Sequence, residues 1–158
     1  MGAERRVTGP LDKALIQSLI PHAGSMCLLD AVNAWDADTI LCETVSHRDP
    51  ANPLRRQGRL AALHACEYGA QAAAIHGALC ACAAGQTAPA AYLAALRDVR
   101  WCRADLAEIV APLLVTARRL LGENSPCVYA IQVQAAGQLL VEARITIASQ
   151  PAPGQQHP

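Results

Sequence analysis

The chain has 158 residues, of which 53% are hydrophobic and 16% are charged, and its formal net charge is zero. A neutral chain lacks the basic field on which nucleic-acid binding depends, so we expect no nucleic-acid partner. A composition this apolar also excludes general disorder. We therefore expect one folded domain over residues 11–149, with flexible termini at 1–10 and 150–158.

The most apolar stretch, residues 60–84, does not have the composition of a membrane span. It carries side chains that a lipid-facing helix would avoid, namely His64, Glu67, Gln71 and His76. The N-terminal segment lacks the apolar core of a signal peptide. The sequence therefore predicts a cytoplasmic protein without a membrane span.

The cysteines favour the same compartment. There are seven, an odd number, and most lie in apolar runs, so reduced and buried thiols are expected. Cys80 and Cys82 form only a CxC pair within a helical pattern, where their side chains diverge. We expect no metal site.

The first half of the chain predicts helices on either side of two strands. Leu11, Leu15, Ile16 and Leu19 share one side of a short helix over residues 11–19, which Pro21 ends. Two strands are expected around a turn, and a long Ala-rich helix follows a proline-containing loop. Their ranges are 26–36 and 39–47 for the strands and 59–84 for the helix.

The second half predicts four strands. The last is the clearest, because apolar and polar residues alternate along it, and "AAGQ" before it is typical of a hairpin turn. The expected ranges are 92–102, 112–122, 126–135 and 139–149. Strands that do not alternate with helices favour an antiparallel sheet of about six strands wrapped around one long central helix, an α+β fold.

Two motifs carry a family resemblance over about residues 13–149. "IPHAGSMCLLDAV" resembles the opening motif of the fatty-acid β-hydroxyacyl-acyl-carrier-protein dehydratases, L-P-H-R-x-P-x-L-L-x-D. "GRLAALHACEYGAQA" resembles the start of their central helix, and "PLRRQGRL…HACEYGAQAAAIHG" is more similar still to the dehydratases of aryl-polyene gene clusters. The resemblance implies a hot-dog fold and a thioester dehydratase or thioesterase.

The chain departs from this family at the catalytic histidine. The family carries it in a G-H-F-P-G loop, 14 residues before the acidic residue of the helix. Here that position is Pro53, counting back from Glu67, and Gly58 is nine residues before Glu67 instead of five. Another histidine has to replace it if the protein is a dehydratase.

Glu67 is the first candidate catalytic residue. A carboxyl group within an apolar helix is costly to bury unless it is paired, protonated or used, and a protonated one suits a general acid. The alternative is a carboxylate that reaches solvent or pairs with an arginine. Gln71 lies one turn further on, where it could orient the carboxyl group or have no role.

Three histidines compete for the role of base. His22 lies between Pro21 and Ala23 in the motif, and the resemblance makes it the preferred base over a turn histidine without a role. His47 is the main rival, because it is near the position of the usual family histidine. His64, one turn before Glu67, is expected to pack or to orient its neighbours.

Gly58 and Arg59 are expected to open the central helix. Its free backbone N–H groups would then bind the oxygen of a thioester carbonyl, unless Gly58 is only a turn residue. Arg55 and Arg56 are either solvated or placed to contact the phosphate of a phosphopantetheine arm.

The preferred interpretation is a 3-hydroxyacyl-acyl-carrier-protein dehydratase in fatty-acid-like or aryl-polyene biosynthesis, with His22 and Glu67 as the catalytic residues. No cofactor is expected, since the substrate is carried on the phosphopantetheine of an acyl carrier protein or of coenzyme A. A thioesterase and a non-catalytic partner subunit are the alternatives. A homodimer is expected, with a heteromer containing another hot-dog subunit as the second option.

Overall fold

The computed structural model of the chain describes residues 10–21, 24–122 and 125–150. The predicted flexible segments fall almost wholly outside these ranges. Six strands form one antiparallel sheet in the order β1-β2-β4-β5-β6-β3. Their bounds are β1 Ala31–Trp35, β2 Thr39–Thr44, β3 Ala91–Trp101, β4 Leu113–Leu121, β5 Cys127–Ala135 and β6 Gln138–Ser149.

The long helix α2, Ala65–Ala83, packs against one face of this sheet and contacts strands β2 to β6. Eleven of its 19 residues are buried, which is possible because most of them are alanine or glycine and allow close approach. Apolar side chains of β4, β5 and β6 point toward it, including Val115, Ile131 and Ile145. The predicted antiparallel sheet around one long helix is confirmed.

The bounds of the four strands in the second half agree with the predicted bounds to within about one residue at each end. The hairpin between β5 and β6 turns at Ala136 and Gly137, whose φ angles are +49° and +77°. Two consecutive positive φ values match the right-handed twist of the flanking strands. The pairing of Ala135 with Gln138 confirms the predicted hairpin.

The short helix α1, Lys13–Leu19, begins at a side-chain cap. The carboxylate of Asp12 accepts a hydrogen bond of 3.0 Å from the backbone N–H of Leu15. This satisfies one of the N–H groups that a helix start leaves unpaired. Lys13 forms an ion pair of 3.0 Å with Asp30, which joins α1 to the segment that leads into β1.

The first two strands are shorter than predicted. Residues Gly24–Met26 form a 3₁₀ turn before β1, and Ser46–Arg48 form another after β2. The reason is a set of local bonds: the hydroxyl groups of Thr44 and Ser46 both donate to the carbonyl of Leu28, at 2.6 Å each. These bonds replace strand pairing in the segment before β1 and in the segment after β2.

The start of the long helix was also predicted wrongly. Helix α2 begins at Ala65 instead of Arg59, after a 3₁₀ turn over Ala62–His64. The backbone N–H of Leu60 donates to the Asp105 carboxylate at 3.0 Å, and the carbonyl of Leu60 accepts from Leu106 at 2.8 Å. These long-range bonds hold residues 59–61 in extended pairing, which helical propensity does not overcome.

The thiols are less uniformly buried than predicted. All seven cysteines are free, but only Cys27, Cys42 and Cys66 are buried, whereas Cys82 and Cys102 are exposed. Within the described part of the chain, no helix is long and apolar enough to cross a membrane.

Two glycines of helix α2 differ in the space around them. A Cβ atom added to Gly69 would overlap the side chain of Ile131 on β5. A Cβ atom added to Gly77, two turns later, would meet no atom within 4 Å. The Gly69 position of α2 therefore lies directly on β5, whereas the Gly77 position faces open space.

This difference predicts opposite effects of the same substitution. Gly69→Ala should lower the free energy of unfolding by about 1–3 kcal/mol, because the added methyl group overpacks the contact with Ile131. Gly77→Ala should raise it by about 0.5–1 kcal/mol, since alanine is the better helix former and has room. Urea denaturation measures both. Equal stability of Gly69→Ala and the unchanged protein would contradict this packing.

Candidate active site

Glu67 lies in the first turn of α2, where it is half-buried. It lines a cavity of about 290 Å³ together with residues of α2, β3 and β6. The other lining residues are Ala70, Gln71, Ala74, Ala91, Tyr92, Leu93 and Ile147. We call this space the Glu67 cavity. The carboxyl group makes no hydrogen bond or ion pair with any described residue.

One prediction was that Gln71 orients the carboxyl group of Glu67. Its amide group is instead bonded to the segment that precedes β1. Its side chain is 2% exposed, and its Oε1 atom accepts from the backbone N–H of Leu28 at 2.9 Å. Its Nε2 atom donates to the carbonyl of Met26 at 2.6 Å. Both polar atoms of the amide thus fix residues 26–28 against α2, one helical turn from Glu67.

His22 lies outside the described residues. The described residues end at Pro21 and resume at Gly24. Gly24 has a φ of +60° and begins the 3₁₀ turn that ends at Met26. The segment that follows His22 in sequence is therefore the one held by Gln71.

His47 is buried in a structural contact. Its ring is fully inaccessible, and Nε2 donates to the carbonyl of Ile109 at 2.8 Å. Burial lowers the pKa of His47, while the bond to Ile109 opposes this effect. Arg48 binds the next carbonyl, of Val110, at 2.8 Å. His47 does not line the Glu67 cavity and ties residues 109–110 to the turn after β2.

His64 occupies the position directly before α2 and is half-buried. It makes no side-chain cap to the helix, and its ring has no hydrogen-bond partner among the described residues. It does not line the Glu67 cavity. Its place one turn before Glu67 agrees with the sequence, but no contact between the two side chains is formed.

Gly58 and Arg59 do not form a helix N-terminus, contrary to the prediction. Arg59 donates its N–H to the carbonyl of Arg56 at 3.0 Å, and Arg56 donates back to Arg59 at 2.9 Å. The pair closes a tight turn, in which Gly58 takes a φ of +74°. The first N–H groups ahead of α2 are already bonded, that of Ala62 to Ala104 and that of His64 to Ala61.

The arginines of this turn bind its own backbone. Arg55 donates to the carbonyls of Arg48 and Gly58, at 3.1 and 2.9 Å. Arg56 donates through Nη1 to the carbonyls of Pro53 and Arg55, both at 2.9 Å. These bonds make the loop rigid and keep a positive charge at its surface.

The contribution of β3 to the site was not predicted from the sequence. Ala91, Tyr92 and Leu93 at the start of this strand form one wall of the Glu67 cavity. The alternation in this strand predicted its position in a sheet, but no local signal tells which helix face a distant strand will meet. Among the described residues, no group of three or more His, Cys, Asp or Glu side chains is placed to hold a metal ion.

One family model matches this chain, that of the ApeP dehydratase, and it covers residues 14–157. The chain belongs to the ApeP-like dehydratase family. The predicted dehydratase of the aryl-polyene type is thereby confirmed. No curated protein sequence matches the chain.

Solved structures support the fold of this ApeP-like dehydratase. A chain of the dehydratase heterocomplex ApeI:P from Xenorhabdus doucetiae superimposes with a TM-score of 0.78 and 22% identity, over 86% of this chain and 91% of that one. A mutant thioesterase from Pseudomonas aeruginosa superimposes with a TM-score of 0.61 and 16% identity, over 94% of this chain and 99% of that one. A thioesterase from Haemophilus influenzae superimposes with a TM-score of 0.54 and 15% identity, over 80% of this chain and 81% of that one. All three have the hot-dog architecture that the sequence predicted.

The Gln71 contacts predict a specific loss of stability. Gln71→Leu keeps an apolar stem but leaves the backbone N–H of Leu28 and the carbonyl of Met26 without their partner, so the free energy of unfolding should fall by about 1–3 kcal/mol. Gln132→Leu is the control, because Gln132 is exposed on β5 and should change stability by at most about 0.5 kcal/mol. Urea denaturation with equal losses for both variants would contradict the assignment.

Proposed function

We propose that this dehydratase acts on 3-hydroxyacyl groups carried on the phosphopantetheine arm of an acyl carrier protein, with Glu67 as the acid and His22 as the base. His22 removes a proton from the α-carbon, and the electron pair forms the new double bond as the β-hydroxyl group leaves. The Glu67 carboxyl group protonates that leaving oxygen, so water and a trans-2-enoyl thioester are the products.

The hydrogen bonds of Gln71 are the observation that carries this proposal. They fix residues 26–28 one helical turn, about 6 Å, along α2 from Glu67. His22 precedes this fixed segment by four residues in the sequence. Among the described histidines, His47 is bonded to Ile109, His76 lies more than two turns further along α2, and His64, although one turn before Glu67, does not line the Glu67 cavity. We therefore propose His22, which the family motif indicates, as the base.

The reaction moves one proton from carbon and one proton to oxygen, without net oxidation or reduction. An acid and a base suffice for it, so we propose that no metal or redox cofactor takes part. The cavity beside Glu67 is lined mainly by alanine and apolar side chains, which suits the apolar part of an acyl group. Among the described residues, Arg56 is bonded through Nη1 only. Its other guanidinium N–H groups can therefore bind the phosphate of the carrier arm.

Replacing the acid tests the chemistry directly. Glu67→Gln keeps the side-chain volume and removes the acidic proton, so the rate of dehydration should fall about 10²- to 10⁴-fold while the fold is kept. The assay follows enoyl formation from a 3-hydroxyacyl carrier-protein thioester, with the coenzyme A thioester in parallel. Unchanged turnover by a folded Glu67→Gln protein would exclude the assignment, and release of free acid in place of the enoyl product would indicate a thioesterase.

The two histidines provide a matched pair in the same assay. His22→Gln should cause a loss similar to that of Glu67→Gln. His47→Gln retains an N–H donor for the carbonyl of Ile109 and should leave the rate within a few-fold of the unchanged protein. The reverse order of effects would assign the base to His47.

We also propose that β3 pairs with the same strand of a second hot-dog subunit, a copy of this chain. β3 is the last strand at its side of the sheet. It exposes large apolar side chains, Tyr92 at 49%, Leu96 at 39% and Trp101 at 53%. Because β3 also forms a wall of the Glu67 cavity, a second subunit there would close the site. A different hot-dog subunit, as in the ApeI:P heterocomplex, is the alternative.

Light scattering tests this pairing. The protein should have about twice the mass of one chain, 16.6 kDa, at micromolar concentration. Leu96→Lys places a charge on the β3 edge and should shift the mass toward the monomer, whereas Leu121→Lys, at an exposed end of β4, should not. A monomer that is inactive alone and becomes active with another hot-dog subunit would identify the heteromer.

A further inference from the structure

Three exposed arginines lie in one row across the sheet. Arg118 of β4 is opposite Ala130 of β5, and Ala130 is opposite Arg144 of β6. Arg144 is in turn opposite Arg97 of β3. All three arginine side chains are exposed. We call these three residues the arginine row.

The arginine row lies on the face of the sheet that is turned away from α2. Ala143 and Ile145, the neighbours of Arg144 in β6, are buried in the core. Side chains alternate between the two faces of a strand, so Arg144 points to the opposite, outer face. Residues directly opposite each other in an antiparallel pair share a face, so Arg97 and Arg118 point there too. The sheet therefore separates the arginine row from the proposed catalytic site.

A bulge in β3 adds a fourth arginine to this face. Arg97 and Arg100 are three residues apart and would point to opposite faces of a regular strand. The pairing shifts between them, however, because Arg97 is opposite Arg144 and Arg100 is opposite Glu142. Asp98, within the bulge, takes a φ of +53°, which is uncommon for a residue with a side chain. The bulge therefore turns Arg100 to the outer face, beside Arg97.

The charges of this cluster are not paired. The four arginine side chains make no hydrogen bond or ion pair with any described residue, and neither does Glu142. Like charges that are directly opposite, as Arg97 and Arg144 are, destabilise an antiparallel pair. The cluster therefore lowers the stability of the protein when no anion is bound.

Protection of the sheet edge does not account for the cluster. Charged side chains on an edge strand can prevent aggregation, and β3 is an edge strand. Arg118 and Arg144 belong to β4 and β6, however, and each of these strands has a neighbour on both sides. Pairing of β3 with a second subunit would extend the sheet at its edge and leave the outer face open.

The charge balance favours a small ligand with at least two negative charges. The four arginines stand against Asp98 and Glu142, so positive charge is in excess. Guanidinium groups bind phosphate oxygens through paired N–H donors. Ala130 leaves space between Arg118 and Arg144. An anionic membrane fits less well, because the formal net charge of the chain is zero and Glu142 would face the lipid phosphates.

We propose that the outer face of the sheet binds the diphosphate group of a soluble ligand. Arg97, Arg100 and Arg144 contact the diphosphate, and Arg118 adds a positive charge at the other end of the row. The bound anion offsets the repulsion between Arg97 and Arg144. Because the sheet separates this site from Glu67, the proposal does not depend on the proposed function.

Calorimetry with inorganic pyrophosphate at low ionic strength tests the proposal. The unchanged protein should show saturable binding of one pyrophosphate per chain, and pyrophosphate should raise its Tm. Arg144→Gln should weaken this binding by about 10-fold or more, because it removes charge-assisted hydrogen bonds. The absence of saturable binding to the unchanged protein would overturn the proposal.

Arg103→Gln is the matched control, since it removes the same charge elsewhere. Arg103 is exposed and lies in the turn after β3, where the carbonyl of its neighbour Ala104 accepts from the N–H of Ala62, next to α2, at 2.9 Å. Its affinity for pyrophosphate should stay within about twofold of the unchanged value. Equal weakening by Arg103→Gln and Arg144→Gln would indicate a general attraction between charges and would overturn the site.

Two further measurements define the contact and the ligand. Arg144→Lys keeps the charge but not the paired donors, so its affinity should lie between those of the unchanged protein and Arg144→Gln. An affinity equal to that of the unchanged protein would contradict the paired contact. Vesicles of phosphatidylglycerol and phosphatidylcholine in equal amounts should not sediment the protein. Sedimentation with these vesicles, without saturable binding of pyrophosphate, would assign the outer face to a membrane and overturn the proposal.

Discussion

The contact between Gly69 and Ile131 determines how the rest of the structure is arranged. Only a residue without a Cβ atom permits α2 to lie this close to β5. Two turns later the helix still contacts β5, because Nδ1 of His76 lies 2.9 Å from the hydroxyl group of Tyr129. The Gly77 position faces open space instead, beside a cavity of about 790 Å³. One close contact and one hydrogen bond therefore fix the helix on β5.

Buried polar side chains then fix the backbone around the helix. Gln71 binds the segment before β1, and His76 binds the carbonyl of Asp36 at the end of β1. Asn52 joins the carbonyl of Ser46 to the hydroxyl group of Tyr68, each at 2.9 Å. Each group would be costly to bury without these partners. Glu67 is different, because it lies at a cavity and has no such partner among the described residues.

The strands of the second half and the buried helix could be predicted because their signals are local. Alternation of apolar and polar residues marks β6, and helix-forming alanines mark α2. The start of α2 could not be predicted, since it depends on bonds between Leu60 and Asp105, which are 45 residues apart. The partners of Gln71 were missed for the same reason. The sequence indicated candidate residues for a site, but not the contacts that those residues make.

The contacts of residues 49–59 explain why this loop supplies no base at position 53, which corresponds to the catalytic histidine of the family. Position 53, where the family has its histidine, is a proline whose carbonyl accepts from Arg56. The side chain of Asn52 turns inward to Tyr68, and its Oδ1 atom accepts from the N–H of Leu54 at 2.9 Å. These bonds hold the loop closed on itself, and it offers no base to Glu67. The base of the proposed reaction therefore has to come from another part of the chain, while Glu67 keeps its place on the helix.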